Sequence, residues 1–185
     1  MRVVGGRLRG RNIASPASKD IRPTQDRLRE SVFNILMHAY ENPIVDARVL
    51  DLFAGTGALG IEAVSRGAAF TLFIDNGAEA RALLRNNVEA LGLGGTTKVY
   101  RRDATQLGPA HPMEPFVLAF LDPPYGKGLA EKALVSLRNG KWLVPGALVV
   151  VEEAVSAALK APEGFEELER RAYDETEFVF LRAAR

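Results

Sequence analysis

Apolar segments alternate with amphipathic ones from residue 49 onwards, and this alternation restricts the chain to an α/β fold. Strands are predicted at 49–53, 70–74, 98–101, 116–121, 147–151, 165–173 and 177–182. Helices are predicted at 24–40, 58–66, 78–91 and 129–143. The segment 116–121 is wholly apolar, as is typical of a strand with helices on both faces. The pattern predicts a Rossmann-like, mostly parallel seven-stranded sheet whose last two strands form an antiparallel hairpin.

A glycine-rich turn follows the first predicted strand. Gly55, Gly57 and Gly60 match the pattern G-x-G-x-x-G, between that strand and the next helix. Such a turn brings the backbone close to a ligand because no Cβ stands in the way. The pattern alone suits a dinucleotide or S-adenosylmethionine equally, and a turn that needs its glycines only for tightness is the third interpretation.

Three aspartates follow successive strands, at the sheet edge where open α/β folds bind ligands. Asp51 suits a cofactor with sulfonium and ammonium cations better than one that presents a pyrophosphate. Asp75 can accept hydrogen bonds from two ribose hydroxyls, and Asp103 from an adenine amino group. Each aspartate alone could be a helix or turn cap. Together they favour an S-adenosylmethionine site, which we predict to consist of Asp51, Phe53, Gly55, Gly57, Asp75, Asp103 and Ala104.

A second motif, residues 122–125, ends the apolar strand at 116–121. An exocyclic base amine is a poor nucleophile, because its lone pair is delocalised into the ring, and it must be held in line with a methyl donor. Asp122 and the carbonyl of Pro123 can each accept one N–H of such an amine, and Tyr125 can stack on an extruded base. The alternative is a plain proline-rich turn. The position after a strand, downstream of the glycine turn, favours a catalytic role for Asp122, Pro123 and Tyr125.

The amino-terminal segment is basic, whereas the rest of the chain is mildly acidic. Residues 1–29 carry eight basic and two acidic side chains, and the remainder carries 16 basic and 21 acidic ones. We therefore predict a basic hairpin and linker at 1–23, followed by a catalytic domain at 24–185.

Arginines of this segment are candidates for contact with nucleic acid. Arg7, Arg9 and Arg11 alternate along a predicted hairpin strand at 8–13 and would share a face that follows phosphates. A solvated charged face is the alternative. RNA contacts are predicted for Arg7, Arg9, Arg11, Arg22 and Arg27. Whether Arg22, Thr24 and Arg27 contact cofactor or RNA stays open.

With these motifs, the chain resembles the RsmD family of bacterial ribosomal RNA guanine-N2 methyltransferases along nearly its whole length. The resemblance is carried by 2–10, 22–30, 51–60 with 65–68, and 122–125. It implies the fold of a class I S-adenosylmethionine-dependent methyltransferase with a small amino-terminal β-hairpin extension. It also implies methyl transfer to N2 of a guanine in 16S ribosomal RNA, at position 966, within the small subunit or its assembly intermediate. Asp75 stands where relatives often have glutamate, which should keep the ribose contact.

Three other functions are compatible with parts of the sequence. An adenine-N6 methyltransferase would use the same 122–125 motif. An NAD-dependent dehydrogenase would explain the glycine turn and Asp75 but would leave that motif unused. A non-catalytic RNA-binding module would need neither Asp51 nor Asp122.

The composition excludes several further classes. The chain has no cysteine, which excludes disulfides and thiolate metal sites, and we expect no metal site at all. It contains no apolar run of membrane-spanning length. We therefore expect a cytoplasmic monomer without membrane contact.

Overall fold

The computed structural model describes residues 1–16 and 23–185. Its four α-helices are α1 (Pro23–Ala39), α2 (Ala58–Ser65), α3 (Ala78–Ala90) and α4 (Leu129–Asn139). Its strands are β1 (Arg48–Leu52), β2 (Phe70–Ile74), β3 (Thr97–Tyr100), β4 (Phe116–Leu121), β5 (Leu143–Ala154), β6 (Phe165–Tyr173) and β7 (Thr176–Ala183). In this part of the chain, no helix is long and apolar enough to cross a membrane.

The strands form one seven-stranded sheet in the order β3-β2-β1-β4-β5-β7-β6. The first five strands of this order are parallel, and β7 pairs antiparallel with both β5 and β6. The strand order reverses between β1 and β4, so the carboxyl ends of these two strands border the crevice where such sheets bind ligands. The predicted sheet and its carboxy-terminal hairpin are confirmed.

Alternate strand residues pack into apolar cores on the two faces of the sheet. On one face, Leu50 of β1 lies in a cluster with Leu134 and Leu137 of α4. On the other face, Val49 lies with Val32 and Phe33 of α1. Both faces are therefore covered by helices, which explains why β4 is apolar throughout.

Two predicted boundaries around α4 and β5 are wrong. The helix ends at Asn139 rather than at residue 143, and Gly140 caps it. Trp142 then turns inward, is buried, and donates from Nε1 to the Gly108 carbonyl at 2.8 Å. Because the chain becomes extended directly after this anchor, β5 starts at Leu143 and runs to Ala154, well beyond the predicted 147–151.

The amino-terminal arm, residues 1–16, turns back on itself, but it does not contain the predicted strand at 8–13. Its pairing is a single antiparallel bridge between Arg2 and Asn12. Gly6 and Gly10 both have positive φ angles, and residues 7–10 form turns. The expectation that Arg7, Arg9 and Arg11 share one face of a strand is therefore wrong.

The arm packs on the body through apolar side chains. Val3, Leu8 and Ile13 are buried in one cluster with residues of α2 and α3, among them Ile61 and Leu84. An arm with its own buried side chains has a defined position on the body, which is why its charged residues also have defined positions.

Glu62 of α2 is the polar anchor of this arrangement. Its carboxylate is fully buried and accepts hydrogen bonds from the backbone N–H groups of Val4 and Gly5, both at 2.9 Å. It also pairs with Arg29 of α1 at 3.3 Å and with Arg66 at 2.9 Å. One carboxylate thus joins the arm, α1 and α2, and its charge is compensated on every side.

We expect Glu62→Ala to lower the free energy of unfolding by about 3–5 kcal/mol, because it leaves Arg29 and two backbone N–H groups buried without their acceptor. Urea denaturation followed by circular dichroism measures this loss. Glu89→Ala, at an exposed position of α3, is the control and should change stability by less than about 0.5 kcal/mol. Equal stability of the two variants would show that the carboxylate is not the anchor.

Candidate active site

The loop after β1 has an unusual backbone that its glycines make possible. Phe53, Gly55 and Gly57 all have positive φ angles, of 56°, 57° and 82°. A Cβ on Gly57 would lie 2.3 Å from Leu84 Cδ1, so both space and conformation require glycine there. A Cβ on Gly60 would lie 2.4 Å from the Phe73 ring, so Gly60 lets α2 pack closely on β2. These are the roles that the sequence pattern predicts for such glycines.

Asp75 ties this loop to the end of β2. One of its carboxylate oxygens accepts the Gly55 N–H at 3.0 Å, and the other accepts the Gly77 N–H at 2.8 Å. The side chain is half-buried at the sheet edge. Asp75 therefore lies where it was predicted to lie and also shapes the loop.

Asp51 lies beneath the loop and is only 1% exposed. Its carboxylate accepts the Gly60 N–H in the first turn of α2 at 2.9 Å. Burial raises the pKa of Asp51 to about 8, and nearby Asp75 contributes to that rise, although the Gly60 hydrogen bond opposes it. Without a bound cation, Asp51 is therefore protonated over much of the neutral pH range.

Asp103 is exposed, beyond the end of β3. One of its oxygens accepts both the N–H of Thr105, at 2.8 Å, and its hydroxyl, at 2.7 Å. These hydrogen bonds hold the pKa of Asp103 below its usual value, so the side chain stays ionised. Ala104 between them is buried.

Asp122 lies directly beside the glycine loop. Parallel pairing of β1 with β4 places Leu52 opposite Leu121, so the residues after them in the chain, Phe53 and Asp122, are neighbours. The Asp122 N–H lies 3.5 Å from the Leu52 carbonyl, and the side chain is half-buried. Pro123 is buried behind it. The structure thus brings the two sequence motifs together at one edge.

Tyr125 is 43% exposed, and its hydroxyl is tethered. The hydroxyl donates to a Glu152 carboxylate oxygen at 2.5 Å and lies 3.4 Å from the Thr176 hydroxyl. Partial burial and the negative charge of Glu152 raise the pKa of Tyr125, so the phenol stays protonated. The ring is held at one end while part of its surface remains accessible.

Two glutamates that the sequence analysis did not select support this turn. Glu153 is buried and accepts the N–H groups of Gly126, at 3.0 Å, and Ala154, at 2.8 Å, while Glu152 holds Tyr125. Both come after the apolar run of β5, so the same rule that selected Asp51, Asp75 and Asp103 would have found them.

The predicted RNA-contacting arginines have different surroundings. Arg7, Arg9, Arg11 and Arg27 are exposed, and Arg11 also donates to the Ala90 carbonyl at 3.1 Å. Arg22 lies outside the residues that the structure describes, as does the side chain of Thr24.

Comparison with known proteins identifies the family. The sequence profile of the family described as "Conserved hypothetical protein 95" matches residues 1–182. "Ribosomal RNA small subunit methyltransferase D" of Escherichia coli strain K12 is 39% identical over 159 residues, which cover 86% of this chain and 77% of that protein. The chain belongs to the RsmD family.

Other RsmD relatives agree with this assignment. "Putative rRNA methyltransferase YlbH" of Bacillus subtilis strain 168 is 42% identical over 155 residues and covers 82% of each chain. The solved structure "Putative methyltransferase yhhF from Escherichia coli" has a TM-score of 0.83 and 32% identity, and the match covers 100% of this chain and 98% of the other. The predicted family and the predicted methyltransferase fold are confirmed, and the chain is a methyltransferase.

The raised pKa of Asp51 predicts a pH dependence of stability in this RsmD protein. Between about pH 4 and pH 8 the folded state holds a proton on Asp51 that the unfolded state, with a pKa of 3.8, has released. The free energy of unfolding should therefore fall as the pH rises through this window. Asp51→Asn cannot titrate and should gain stability relative to the wild type as the pH rises, in urea denaturation at pH 5, 6, 7 and 8, values chosen from about that window.

Asp103→Asn is the matched control for this measurement. Because the pKa of Asp103 is lowered, its contribution changes below about pH 4 and leaves the slope between pH 5 and 8 unaltered. Parallel pH profiles for the wild type and Asp51→Asn would contradict the proposed protonation of Asp51.

Proposed function

We propose that this protein transfers the methyl group of S-adenosylmethionine to the exocyclic N2 amine of a guanine in small-subunit ribosomal RNA. The observation that carries the proposal is the adjacency of Asp122 and the glycine loop at the carboxyl ends of β4 and β1. A methyl donor on the loop and an amine held by Asp122 would be neighbours there. The names of the relatives, which are ribosomal RNA methyltransferases, support the same reaction class.

The residues of the edge fit S-adenosylmethionine. The cofactor carries an electrophilic methyl group on a positively charged sulfur, together with an ammonium group, a ribose diol and an adenine amine. Carboxylates of Asp51, Asp75 and Asp103 surround the loop, and they suit these cations and donors but not a pyrophosphate. At Gly55 a Cβ would find only the Phe53 carbonyl, at 3.9 Å, so the loop is open toward a ligand.

The turn after β4 can orient the target amine. Asp122 would accept one N–H and the Pro123 carbonyl the other, which aims the nitrogen lone pair at the methyl group and stabilises the positive charge that develops on nitrogen. Tyr125, held by Glu152, would stack on the extruded base with its exposed ring face. The turn would thus bind and orient the amine while the cofactor supplies the methyl group.

The nucleic acid would be held in part by the amino-terminal arm. Arg7, Arg9 and Arg11 are exposed on an arm that is anchored to α2 and α3, the helices next to the glycine loop. Basic side chains at fixed positions beside a catalytic edge can hold phosphates while the base enters the site. We propose 16S RNA, within the small subunit or an assembly intermediate, as the substrate, in line with the name of the Escherichia coli relative.

Asp122→Ala should lower the rate of methyl transfer at least about 100-fold, because the amine loses the group that orients it. The assay is transfer of tritiated methyl from S-adenosylmethionine to small ribosomal subunits that lack the modification, followed by nucleoside analysis. Label is expected in N2-methylguanosine. Asp174→Asn, in an exposed turn, is the control and should keep full activity.

Two outcomes would contradict the assignment in different ways. Label in N6-methyladenosine would move the target to adenine, which the same turn could hold. Calorimetric binding of NAD without binding of S-adenosylhomocysteine would reject the methyltransferase site altogether.

Replacing Arg7, Arg9 and Arg11 together by alanine should weaken RNA binding and flatten its salt dependence. The slope of log K against log salt concentration should decrease by about 2, from about 0.7 per lost phosphate contact on single strands. Fluorescence anisotropy with a labelled fragment of the small-subunit RNA measures it. Replacing Lys141, Lys160 and Arg185, which are also exposed, removes the same charge as a control. Equal slopes in the two variants would exclude the arm from the RNA surface.

A further inference from the structure

Asn87 of α3 connects the amino-terminal arm to the glycine loop. Its side chain is 4% exposed, and its amide oxygen accepts the Ala14 N–H at 2.9 Å. Its amide nitrogen donates to the Ala14 carbonyl at 3.1 Å and to the Thr56 carbonyl at 2.9 Å. A single buried amide thus uses its oxygen and its nitrogen to join three segments that are distant in sequence.

Thr56 is the residue between Gly55 and Gly57, so its carbonyl belongs to the loop that would receive the cofactor. The positive φ angles on both sides leave this peptide with few local restraints. Asp75 fixes the N–H of Gly55 from the side of β2, and Asn87 fixes the carbonyl of Thr56 from the side of α3. The loop is therefore held from two sides, by the end of β2 and by α3.

The other side of the Asn87 contact is the end of the arm. The beginning of the arm is anchored on α2, where Glu62 holds Val4 and Gly5, and the Ser65 hydroxyl accepts the Leu8 N–H at 3.0 Å. Because α2 begins directly after Gly57, the arm contacts both helices that flank the loop. A displacement of the arm at Ala14 would be transmitted to Thr56 through Asn87.

We propose that Asn87 is a positioning residue of the cofactor site, and that the affinity for the cofactor depends on its hold on the arm and the loop. The proposal rests on the proposed methyltransferase function. Asn87 would not contact the cofactor itself. It would keep the Thr56 peptide in the one orientation in which the neighbouring backbone accommodates the ligand, and docking of the arm would complete that arrangement.

The chemistry of the side chain offers a specific test. Asn87→Asp keeps the shape and the oxygen that accepts the Ala14 N–H, but it places an acceptor against the carbonyls of Ala14 and Thr56, where the wild type has a donor. Asn87→Ala removes all three hydrogen bonds without adding a charge. Asn86, the preceding residue, is exposed, so Asn86→Asp introduces the same charge one position away.

Calorimetric titration with S-adenosylhomocysteine compares these variants with the wild type. Asn87→Asp should weaken binding about 10- to 100-fold, as expected for the loss of two buried hydrogen bonds, and Asn86→Asp should bind like the wild type. If Asn87→Asp is unfolded by circular dichroism, Asn87→Ala replaces it, with an expected loss of about tenfold. Binding by the folded Asn87 variants as tight as by Asn86→Asp would overturn the proposal.

A second readout separates positioning from a loss of folded protein. In the positioning role, the KM for S-adenosylmethionine rises in parallel with the Kd, and kcat at saturating cofactor stays near the wild-type value. A merely structural role would lower kcat through the active fraction and leave KM unchanged, which would also overturn the proposal. Absence of binding by the wild type would instead overturn the proposed function, so the two failures are distinguishable.

Discussion

The parallel pairing of β1 with β4 is the contact on which the candidate site depends. These strands are neighbours in space although two strands and two helices separate them in sequence, and their register places Phe53 beside Asp122. A shift of this register by one residue would turn Asp122 toward the opposite face of the sheet, away from the glycine loop. The apolar residues of both strands, buried between α1 and α4, fix the register. The packing of the core thus determines the geometry of the edge.

Carboxylates of the same edge have different tasks because their surroundings differ. Asp51 is buried under the loop and holds the start of α2, whereas Asp103 is exposed and ionised in a local turn. Asp75 closes the loop, and Glu153 supports the turn after Asp122. Several acidic residues can therefore coexist at one edge, because one is kept protonated by burial and the others are satisfied by N–H donors.

The sequence predicted the sheet well where the signal was a continuous apolar run. The bounds of β2, β4 and β6 match the predicted ones, because these segments are delimited by clear changes of polarity. The start of β5 was missed because Gly140 ends α4 early and Trp142 anchors the chain directly before the strand, and only tertiary packing shows this. The arm was predicted as a strand from alternating residues, but two glycines with positive φ turn it instead.

The candidate site was predictable where a residue comes after a strand, and less so where a helix supplies it. Strand ends identified Asp51, Asp75 and Asp122, and the same rule applies to Glu152 and Glu153. No such rule selects Asn87, whose role depends on which segments pack against its helix. Long-range contacts of this kind become visible only when the fold is known.

The anchors of the arm also determine when it can dock during synthesis. Val4 is separated by 58 residues from Glu62, and Ala14 by 73 residues from Asn87. The arm leaves the ribosome first, yet its binding surface does not exist until α3 has been made and packed. Its buried side chains Val3, Leu8 and Ile13 are therefore exposed during the early part of translation. This protein acquires its basic arm as a folded element only after the first strands of its sheet have been made.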